Sequence, residues 1–271
     1  MDKKKRFARI LRHIKEVKIQ GARNIAKAAL YAYSLMKTKE AGKQLIKSRP
    51  TEPMLLNVLH RIEKQPYKKI LEHFDYAQEK INKFSFKIIK NNSIIFTHCH
   101  STNVANALIY AKKHGKKFQV YNTETRPLFQ GRKTARQLSR AGINVTMTTD
   151  LAAGDALTKG GKIKKADIVL FGADALLKDG VINKIGSEMF AEIAYDNKIP
   201  VYIIADSWKF SSKSIKIEER DFHEVWKNAP RRIKIKNPAF EKIEKKYIKA
   251  VVSELGILTL GKFVEKARRS L

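Results

Sequence analysis

The 271-residue chain has one cysteine, no long hydrophobic run and fewer acidic than basic residues. A single cysteine excludes an internal disulfide and is typical of proteins in a reducing cytosol. No apolar run approaches the roughly 20 residues that a membrane-spanning helix needs. The first eighteen residues carry charge but lack the apolar segment of a signal peptide. We therefore expect a cytoplasmic protein that makes no membrane contact.

Two glycine-rich phosphate-binding motifs are also missing. There is no G-x-G-x-x-G sequence, and Gly161-Lys162 is followed by Ile163 instead of the Ser or Thr of a P-loop. A dinucleotide-dependent enzyme or an NTPase is therefore disfavoured. Three consecutive side chains, as in His98-Cys99-His100, cannot all face one ion from a strand end, and the other histidines fall at no metal-ligand spacing from them. We expect neither a metal ion nor a cofactor.

Positive charge is in excess, with 56 Lys and Arg against 26 Asp and Glu and a formal net charge of +30. This balance fits a generally lysine-rich composition, an acidic substrate or nucleic acid. The basic residues near the N-terminus permit non-specific contact with nucleic acid. Aromatic residues are not interleaved with them, which disfavours a stacking platform for single strands.

Residues 1–88 show helical periodicity throughout. Apolar residues recur three and four positions apart, and Thr51 is the predicted N-cap of one helix. We expect a helical domain of four or five helices over residues 1–88.

From residue 89 the pattern changes to short apolar runs that alternate with amphipathic stretches. Strands alternating with helices predict βαβ units and a parallel sheet. The chain is thus predicted to be an α/β protein, with the helical domain followed by a Rossmann-like parallel-sheet domain over residues 89–271. Residues 211–237 form a charged stretch of no clear periodicity. The predicted strands are Ile94-Phe96, Phe118-Tyr121, Val145-Thr148, Ile168-Phe171, Val201-Ile204 and Ile248-Val252.

The most informative stretch is a predicted strand that runs into His98-Cys99-His100-Ser101, after which a helix begins at Thr102. Open α/β sheets bind ligands at the carboxyl ends of their strands. Cys99 is either a small buried side chain or a reactive thiol. A helix N-terminus and two flanking imidazoles would lower the pKa of this thiol and favour the thiolate.

Other polar groups follow neighbouring predicted strands. Asp174 either caps a turn or serves as a general acid or base whose pKa is raised by apolar neighbours. Lys184 precedes a predicted helix over 187–196, where an ammonium and free N–H groups suit a phosphate; a solvated helix start is the alternative. Lys209 adds a cation at the same edge. The polar loop Glu124-Thr125-Arg126-Pro127 with Gln130-Gly131-Arg132 binds a ligand or, as we favour, has a structural role.

Together these motifs resemble a known superfamily. It comprises translation initiation factor 2B subunits, methylthioribose-1-phosphate isomerases and ribose-1,5-bisphosphate isomerases. The resemblance runs from about Ile19 to the C-terminus and looks closest to the archaeal ribose-1,5-bisphosphate isomerases. The motifs that carry it are His98-Cys99-His100-Ser101, Glu124-Thr125-Arg126-Pro127 with Gln130-Gly131, Gly172-Ala173-Asp174, Asn183-Lys184-Ile185-Gly186 and Asn237-Pro238-Ala239-Phe240.

The resemblance implies that Cys99 is the proton acceptor and Asp174 the proton donor. Regulatory alpha-type subunits of initiation factor 2B generally lack this pair, so its presence favours an enzyme. The isomerases carry Arg-Gly-Ala-Gly where this chain has a Gln first and an Arg last, and a lost guanidinium at a phosphate is not replaced by lysine. The implied substrate-binding residues are Gln20, Gly21, Ala22, Arg23, Arg49, Ser101, Thr102, Asn103, Asn183, Lys184 and Lys209.

The activity that the resemblance implies is conversion of ribose 1,5-bisphosphate to ribulose 1,5-bisphosphate in AMP and nucleoside catabolism. The substrate would be a phosphorylated pentose, and the protein a homo-oligomer, either a dimer or a hexamer. The alternative is a regulatory subunit that binds a nucleotide or sugar phosphate without catalysis and contacts an initiation factor or RNA. A third reading is methylthioribose-1-phosphate isomerase, which shares the Cys/Asp pair.

Overall fold

The first third of the chain is a helical bundle in the computed structural model, which describes residues 2–269. Each helix turns an apolar face inward, and Ile14, Ile25 and Leu45 meet in one fully buried cluster. The predicted helical half is confirmed. Its helices are α1 (Lys3–Lys15), α2 (Ala22–Met36), α3 (Lys39–Ser48), α4 (Pro53–Ile62) and α5 (Tyr67–Ile88).

The start of α4 differs from the prediction. The helix begins at Pro53 with Glu52 at the N-cap position, so the assignment of Thr51 as N-cap is wrong. Proline suits the first helical position because its φ is already helical and its missing N–H would have no partner there.

The second half is built on a seven-stranded sheet, which confirms the predicted α/β class. The strands are β1 (Ser93–Thr97), β2 (Phe118–Thr123), β3 (Asn144–Thr148), β4 (Ile168–Phe171), β7 (Val201–Ile204), β9 (Ala250–Ser253) and β10 (Gly256–Leu258). Their order is β10-β9-β7-β4-β1-β2-β3, and all neighbours are parallel except β10 and β9. The helices are α6 (Thr102–Lys113), α7 (Gln130–Arg140), α8 (Ser187–Asp196) and α9 (Leu260–Arg269).

A second, antiparallel sheet has no counterpart in the sequence prediction. It consists of β5 (Ala175–Leu176), β6 (Gly180–Lys184) and β8 (Phe240–Glu244), in the order β5-β6-β8. The strand β6 is buried along its whole length, yet it ends in Asn183 and Lys184. This sheet begins directly after β4, so it lies beside the carboxyl edge of the parallel sheet.

The two halves interlock. Ile81 of α5 packs with Ile95 of β1 and Leu108 of α6 in one buried cluster. In the other direction, Trp208, which follows β7, packs against Met54 and Phe74 of the helical half. These shared clusters fix the position of the helical half relative to the sheet. Within residues 2–269 no helix has the length and apolar character to cross a membrane.

Candidate functional site

A cavity opens between the helical half and the carboxyl ends of β1 and β4. It encloses about 1070 Å³ of empty space, counting its open mouth. Every predicted site residue lies on its wall: Gln20, Gly21, Ala22, Arg23, Arg49, Cys99, Ser101, Thr102, Asn103, Asp174, Asn183, Lys184 and Lys209. Their roles stay predictions, but the fold brings them to one place.

The backbone at Cys99 is held on both sides. Its φ of 66° lies in the left-handed region, which a non-glycine residue adopts only where its surroundings fix it. The Cys99 N–H donates to Oγ1 of Thr125 over 3.0 Å. The Cys99 carbonyl accepts a hydrogen bond of 2.9 Å from Oγ1 of Thr134. These two threonines hold the loop that carries the thiol.

His98 belongs to a chain of hydrogen bonds in which the donor and the acceptor of each bond are fixed by the groups at its ends. Its Nε2 lies 2.9 Å from the carbonyl of Ile185, which can only accept, so Nε2 carries the hydrogen. Nδ1 therefore accepts from the hydroxyl of Thr123 over 2.6 Å, and Thr123 in turn accepts from Thr125 over 3.0 Å. Burial lowers the pKa of His98 to about 4, so this imidazole is neutral.

His100 is fixed in a similar way. The hydroxyl hydrogen of Thr134 goes to the Cys99 carbonyl, so Nδ1 of His100 donates to Thr134 Oγ1 over 3.1 Å. Burial, together with the charge of the nearby Lys133, lowers the pKa of His100 to about 4. Neither imidazole beside Cys99 carries a charge near neutral pH.

The predicted lowering of the Cys99 pKa is wrong. Burial raises the pKa of the thiol to about 12, and the neighbouring Asp174 carboxylate raises it as well. The prediction requires charged imidazoles, but burial keeps both of them neutral. Cys99 is therefore a protonated thiol near neutral pH.

The pKa of Asp174 is shifted in the predicted direction. Burial raises the pKa of its carboxyl, while Lys209, Arg49 and Lys184 lower it. Its backbone N–H donates to the carbonyl of Ile182 over 2.8 Å, so the second sheet holds it in place. A carboxyl in this environment retains a proton more readily than one in water.

Two lysines, Lys184 and Lys209, line the cavity. Nζ of Lys209 donates to the carbonyl of Ala173 over 2.6 Å, one residue before Asp174. Burial lowers the pKa of Lys184 and of Lys209, although the acidic groups beside them oppose this. Next to Lys184, the amide of Asn183 donates to Oγ of Ser187 over 2.9 Å.

The start of α6 is closely packed. Ser101 caps the helix by accepting from the Val104 N–H over 3.4 Å. A Cβ at Gly172 would lie 2.5 Å from Cβ of Ser101, so only glycine fits there. Asn103 donates to Oε1 of Gln78 on α5 over 3.0 Å, which ties the start of α6 to the helical half.

The wall contributed by the helical half contains cations that are already paired. Nη2 of Arg23 lies 2.7 Å from Oδ1 of Asp75. Nη2 of Arg49 lies 3.1 Å from both Glu52 Oε1 and Glu218 Oε2. Nε and Nη1 of Arg49 are buried and have no hydrogen-bond partner among the described residues. Such unused donors suit a ligand that brings oxygen atoms.

Sequence reasoning missed several charged residues of this cavity. Glu52, Arg220 and Glu224 line it, and Arg220 forms an ion pair with Glu224. The last two come from the irregular segment 211–237. In a chain that is 30% charged, such residues give no signal of their own.

Outside the cavity, His73, Asp206 and Glu254 could hold a metal ion, since their ligand atoms lie within 4.8 Å of one another. Nε2 of His73 is 3.1 Å from Oδ1 of Asp206, and Glu254 accepts hydrogen bonds from the backbone N–H and side chain of Ser207. The three groups therefore already serve to join α5 to the ends of β7 and β9.

Comparison with known proteins gives four findings. The Initiation factor 2 subunit family matches residues 17–260. Ribose 1,5-bisphosphate isomerase of Methanocaldococcus jannaschii is 36% identical over 279 residues, covering 90% of this chain and 89% of that protein. Methylthioribose-1-phosphate isomerase of Fervidobacterium nodosum is 32% identical and covers 90% and 84%. The crystal structure of translation initiation factor eIF-2B from Pyrococcus horikoshii has a TM-score of 0.83 at 27% identity and covers 96% and 98%.

Proposed function

The chain belongs to the Initiation factor 2 subunit family, and on that premise we propose that it is a sugar-phosphate isomerase. We further propose that it converts ribose 1,5-bisphosphate to ribulose 1,5-bisphosphate, as the name of its Methanocaldococcus relative says of that protein. One observation carries the proposal: the thiol of Cys99 and the carboxyl of Asp174 line the same cation-rich cavity.

The two phosphates need several positive groups. Arg49, Lys184 and Lys209 lie on the cavity wall, and Arg49 has two unused donors. The N-terminus of α2 also lines the cavity. Gly21 at its N-cap has no side chain that could cap the helix. Free N–H groups at a helix start bind phosphate oxygens. These groups support a ligand with more than one phosphate.

The reaction moves a proton from C2 to C1 of the sugar. Cys99 acts as the base and Asp174 as the acid in this proposal, so a thiolate and a neutral carboxyl must be present together. The charge on Asp174 raises the thiol pKa, and protonating Asp174 removes that effect. The two required states therefore favour each other.

The test is to measure formation of the ketose bisphosphate by purified protein. Cys99→Ser and Asp174→Asn should each lower kcat by at least about 100-fold, because each removes a proton-transfer group. Asp179→Asn is a suitable control, since Asp179 pairs with Lys242 away from this cavity. Far-UV circular dichroism should be unchanged in all three variants.

Two outcomes would contradict the proposal. Full turnover by Cys99→Ser would exclude Cys99 as the base. Conversion of methylthioribose 1-phosphate but not of ribose 1,5-bisphosphate would assign the protein to the activity that its Fervidobacterium relative's name states.

A second candidate is a binding subunit of translation initiation. It is favoured by the likeness to the Pyrococcus horikoshii structure, of which this chain covers 98%. Such a protein would bind a nucleotide or sugar phosphate in the same cavity without turnover. Capture of an initiation factor, together with no conversion of either sugar phosphate, would support this candidate over the enzyme.

A further inference from the structure

The turn that carries Glu52 joins α3 to α4 and is held through its backbone. The N–H of Glu52 donates to the Arg49 carbonyl over 3.2 Å, and the Glu52 carbonyl accepts from the Leu55 N–H over 3.1 Å. Glu52 occupies the N-cap position of α4, yet its side chain makes no capping hydrogen bond. The side chain lines the cavity instead, and the residue is only 4% exposed.

The two oxygens of the Glu52 carboxyl differ. Oε1 accepts from Nη2 of Arg49 over 3.1 Å. Oε2 is buried and has no hydrogen-bond partner among the described residues. A buried oxygen left without a partner costs free energy unless a ligand or a water molecule satisfies it. Oε2 is therefore the atom of Glu52 that is left to bind a ligand in the cavity.

The partner of Glu52 in this ion pair also has unused atoms. Nε and Nη1 of Arg49 lack partners among the described residues, while its Nη2 also lies 3.1 Å from Oε2 of Glu218. Two carboxylates thus already balance one guanidinium. A phosphate offers only acceptors, which suit Arg49 but not a carboxylate. A ligand that satisfies both members of the pair must bring an oxygen acceptor for Arg49 and a hydroxyl for Glu52.

A hydroxyl suits Oε2 whether or not the carboxyl holds a proton. Burial raises the pKa of Glu52 to about 8, and the charges of Asp174 and Glu218 raise it as well. The charges of Arg49 and Lys209 oppose this. Because a hydroxyl both donates and accepts, it forms a hydrogen bond with a carboxylate and with a neutral carboxyl.

The chemistry of the proposed reaction singles out one hydroxyl. In ribose 1,5-bisphosphate, C1 and C5 carry the phosphates and the oxygen of C4 closes the ring. The 2-hydroxyl becomes the ketone, so it lies among the reacting groups. The 3-hydroxyl is neither reacting nor substituted, and methylthioribose 1-phosphate has the same hydroxyl. Either sugar phosphate therefore offers this group to Glu52.

We infer that Oε2 of Glu52 binds the 3-hydroxyl of the sugar phosphate, so that the cavity selects pentose phosphates that carry this hydroxyl. The identity of the ligand rests on the proposed function, whereas the unpaired oxygen does not. In this role Glu52 is a specificity-determining residue and transfers no proton to or from the sugar.

The test compares ribose 1,5-bisphosphate with its 3-deoxy analogue on the same protein. In wild type, kcat/KM should be about 10- to 100-fold lower for the analogue, because the hydrogen bond is lost and Oε2 stays buried without a partner. The ratio of the two kcat/KM values is the readout. A change in the fraction of folded protein affects both values equally and cancels in this ratio.

Two variants of Glu52 and one control sharpen the test. Glu52→Met has a similar length but no strong hydrogen-bonding atom, so its preference for the 3-hydroxyl should fall below about twofold. Glu52→Gln retains an oxygen for Arg49 and a polar atom in place of Oε2, and should restore a preference of about fivefold, since a neutral hydrogen bond contributes less than a charged one. Glu63→Met removes an exposed carboxyl at the other end of α4, outside the cavity, and should keep the wild-type ratio.

A purely electrostatic role for Glu52 predicts a different result. If Glu52 only balances the charge of Arg49, Glu52→Met changes KM for both compounds by the same factor. The ratio then stays at the wild-type value, which overturns the inference. Equal kcat/KM values for the two compounds in wild type overturn it as well, while the isomerase proposal stands.

Failure of the proposed function gives a separate result. If wild-type protein converts neither sugar phosphate, calorimetric titration with ribose 1,5-bisphosphate and its 3-deoxy analogue tests the hydroxyl site by itself. A Kd at least about tenfold lower for the 3-hydroxy compound, with the difference lost in Glu52→Met, would support the site. Equal Kd values, or no binding of either compound, would overturn it.

Discussion

The two walls of the cavity are held by different kinds of interaction. On the sheet side, the Cys99 loop is fixed by hydrogen bonds with Thr125 and Thr134, and Gly172 packs directly on Ser101. On the helical side, Arg23 and Asp75 form an ion pair in which the Asp75 side chain is 80% exposed.

The difference indicates where change is tolerated. Neutral, directional and partly buried hydrogen bonds restrict the Cys99 loop to one geometry, so the sheet wall fixes the proposed chemistry. An ion pair with an exposed partner contributes little to stability, so side chains at the mouth of the helical wall can change without unfolding the protein. The departure from the isomerase pattern, Gln20 and Arg23, lies on this tolerant wall.

The largest effect should come from Gly131, at the start of α7. A Cβ there would lie 1.8 Å from the carbonyl oxygen of Thr123, so the backbone must move. We expect Gly131→Ala to lose more than about 4 kcal/mol of unfolding free energy or to fail to fold. Gly154→Ala is the control, since its Cβ meets no atom within 4 Å. Urea denaturation measures both, and equal midpoints would contradict a rigid sheet wall.

A second prediction concerns pH. The pKa of His98 is about 4 in the folded protein and about 6.5 when unfolded, so the unfolded state binds more protons between these values. The stability that neutral His98 contributes should fall as pH decreases from about 6.5 to 4, by an amount on the order of 3 kcal/mol. His100, whose pKa is also about 4, adds a further fall over the same range that the His98→Gln variant retains. Urea midpoints of wild type and His98→Gln over this range measure it. A wild-type midpoint that stays constant would contradict the buried neutral imidazole.

A third prediction concerns the thiol. With its pKa raised to about 12, Cys99 should react with iodoacetamide about tenfold faster for each unit of pH, with no plateau below pH 9. Asp174→Asn should accelerate the reaction at every pH, because it removes a charge that raises the pKa. Mass spectrometry follows the modification, and a plateau near pH 7 would show that the thiolate is already present.

The smallest effects should come from the helical wall. Gln20→Arg adds a guanidinium at the cavity and should lower KM for ribose 1,5-bisphosphate by about tenfold or more, since a charge-assisted hydrogen bond contributes roughly 1.5–3 kcal/mol. Its urea midpoint should match wild type. Gln44→Arg adds the same charge on α3, away from this cavity, and should change neither quantity. A lower urea midpoint for Gln20→Arg than for wild type would contradict the claim that the helical wall tolerates substitution better than the sheet wall.

The parallel sheet could be predicted because its strands are apolar runs between helices. The second sheet could not, since β5 has two residues and β6 ends in a polar and a charged residue. Burial of Asn183 and Lys184 depends on neighbours that only the folded chain supplies. Local periodicity contains no such information.

The residues of the candidate site also differ in whether the sequence predicts their position. Cys99, Asp174 and Lys209 follow apolar strands, and this position along the chain is enough to place them at the sheet edge. Glu52 precedes Pro53 in what looks like an ordinary helix start, and nothing in its local sequence predicts that its carboxyl lines the cavity. The prediction for the thiol pKa is wrong because the charge of an imidazole depends on burial, which the local sequence does not reveal.

The hydrogen-bond chain beside Cys99 has a consequence for sequence variation. From the Cys99 amide through Thr125, Thr123 and His98 to the Ile185 carbonyl, each hydroxyl supplies one hydrogen and accepts one, so every link must face the same way. Serine can replace either threonine because it retains the hydroxyl. Valine has the shape of threonine but no hydroxyl, so it removes both hydrogen bonds that the threonine makes in this chain. At Thr123 and Thr125 we therefore expect serine to be tolerated and valine not to be.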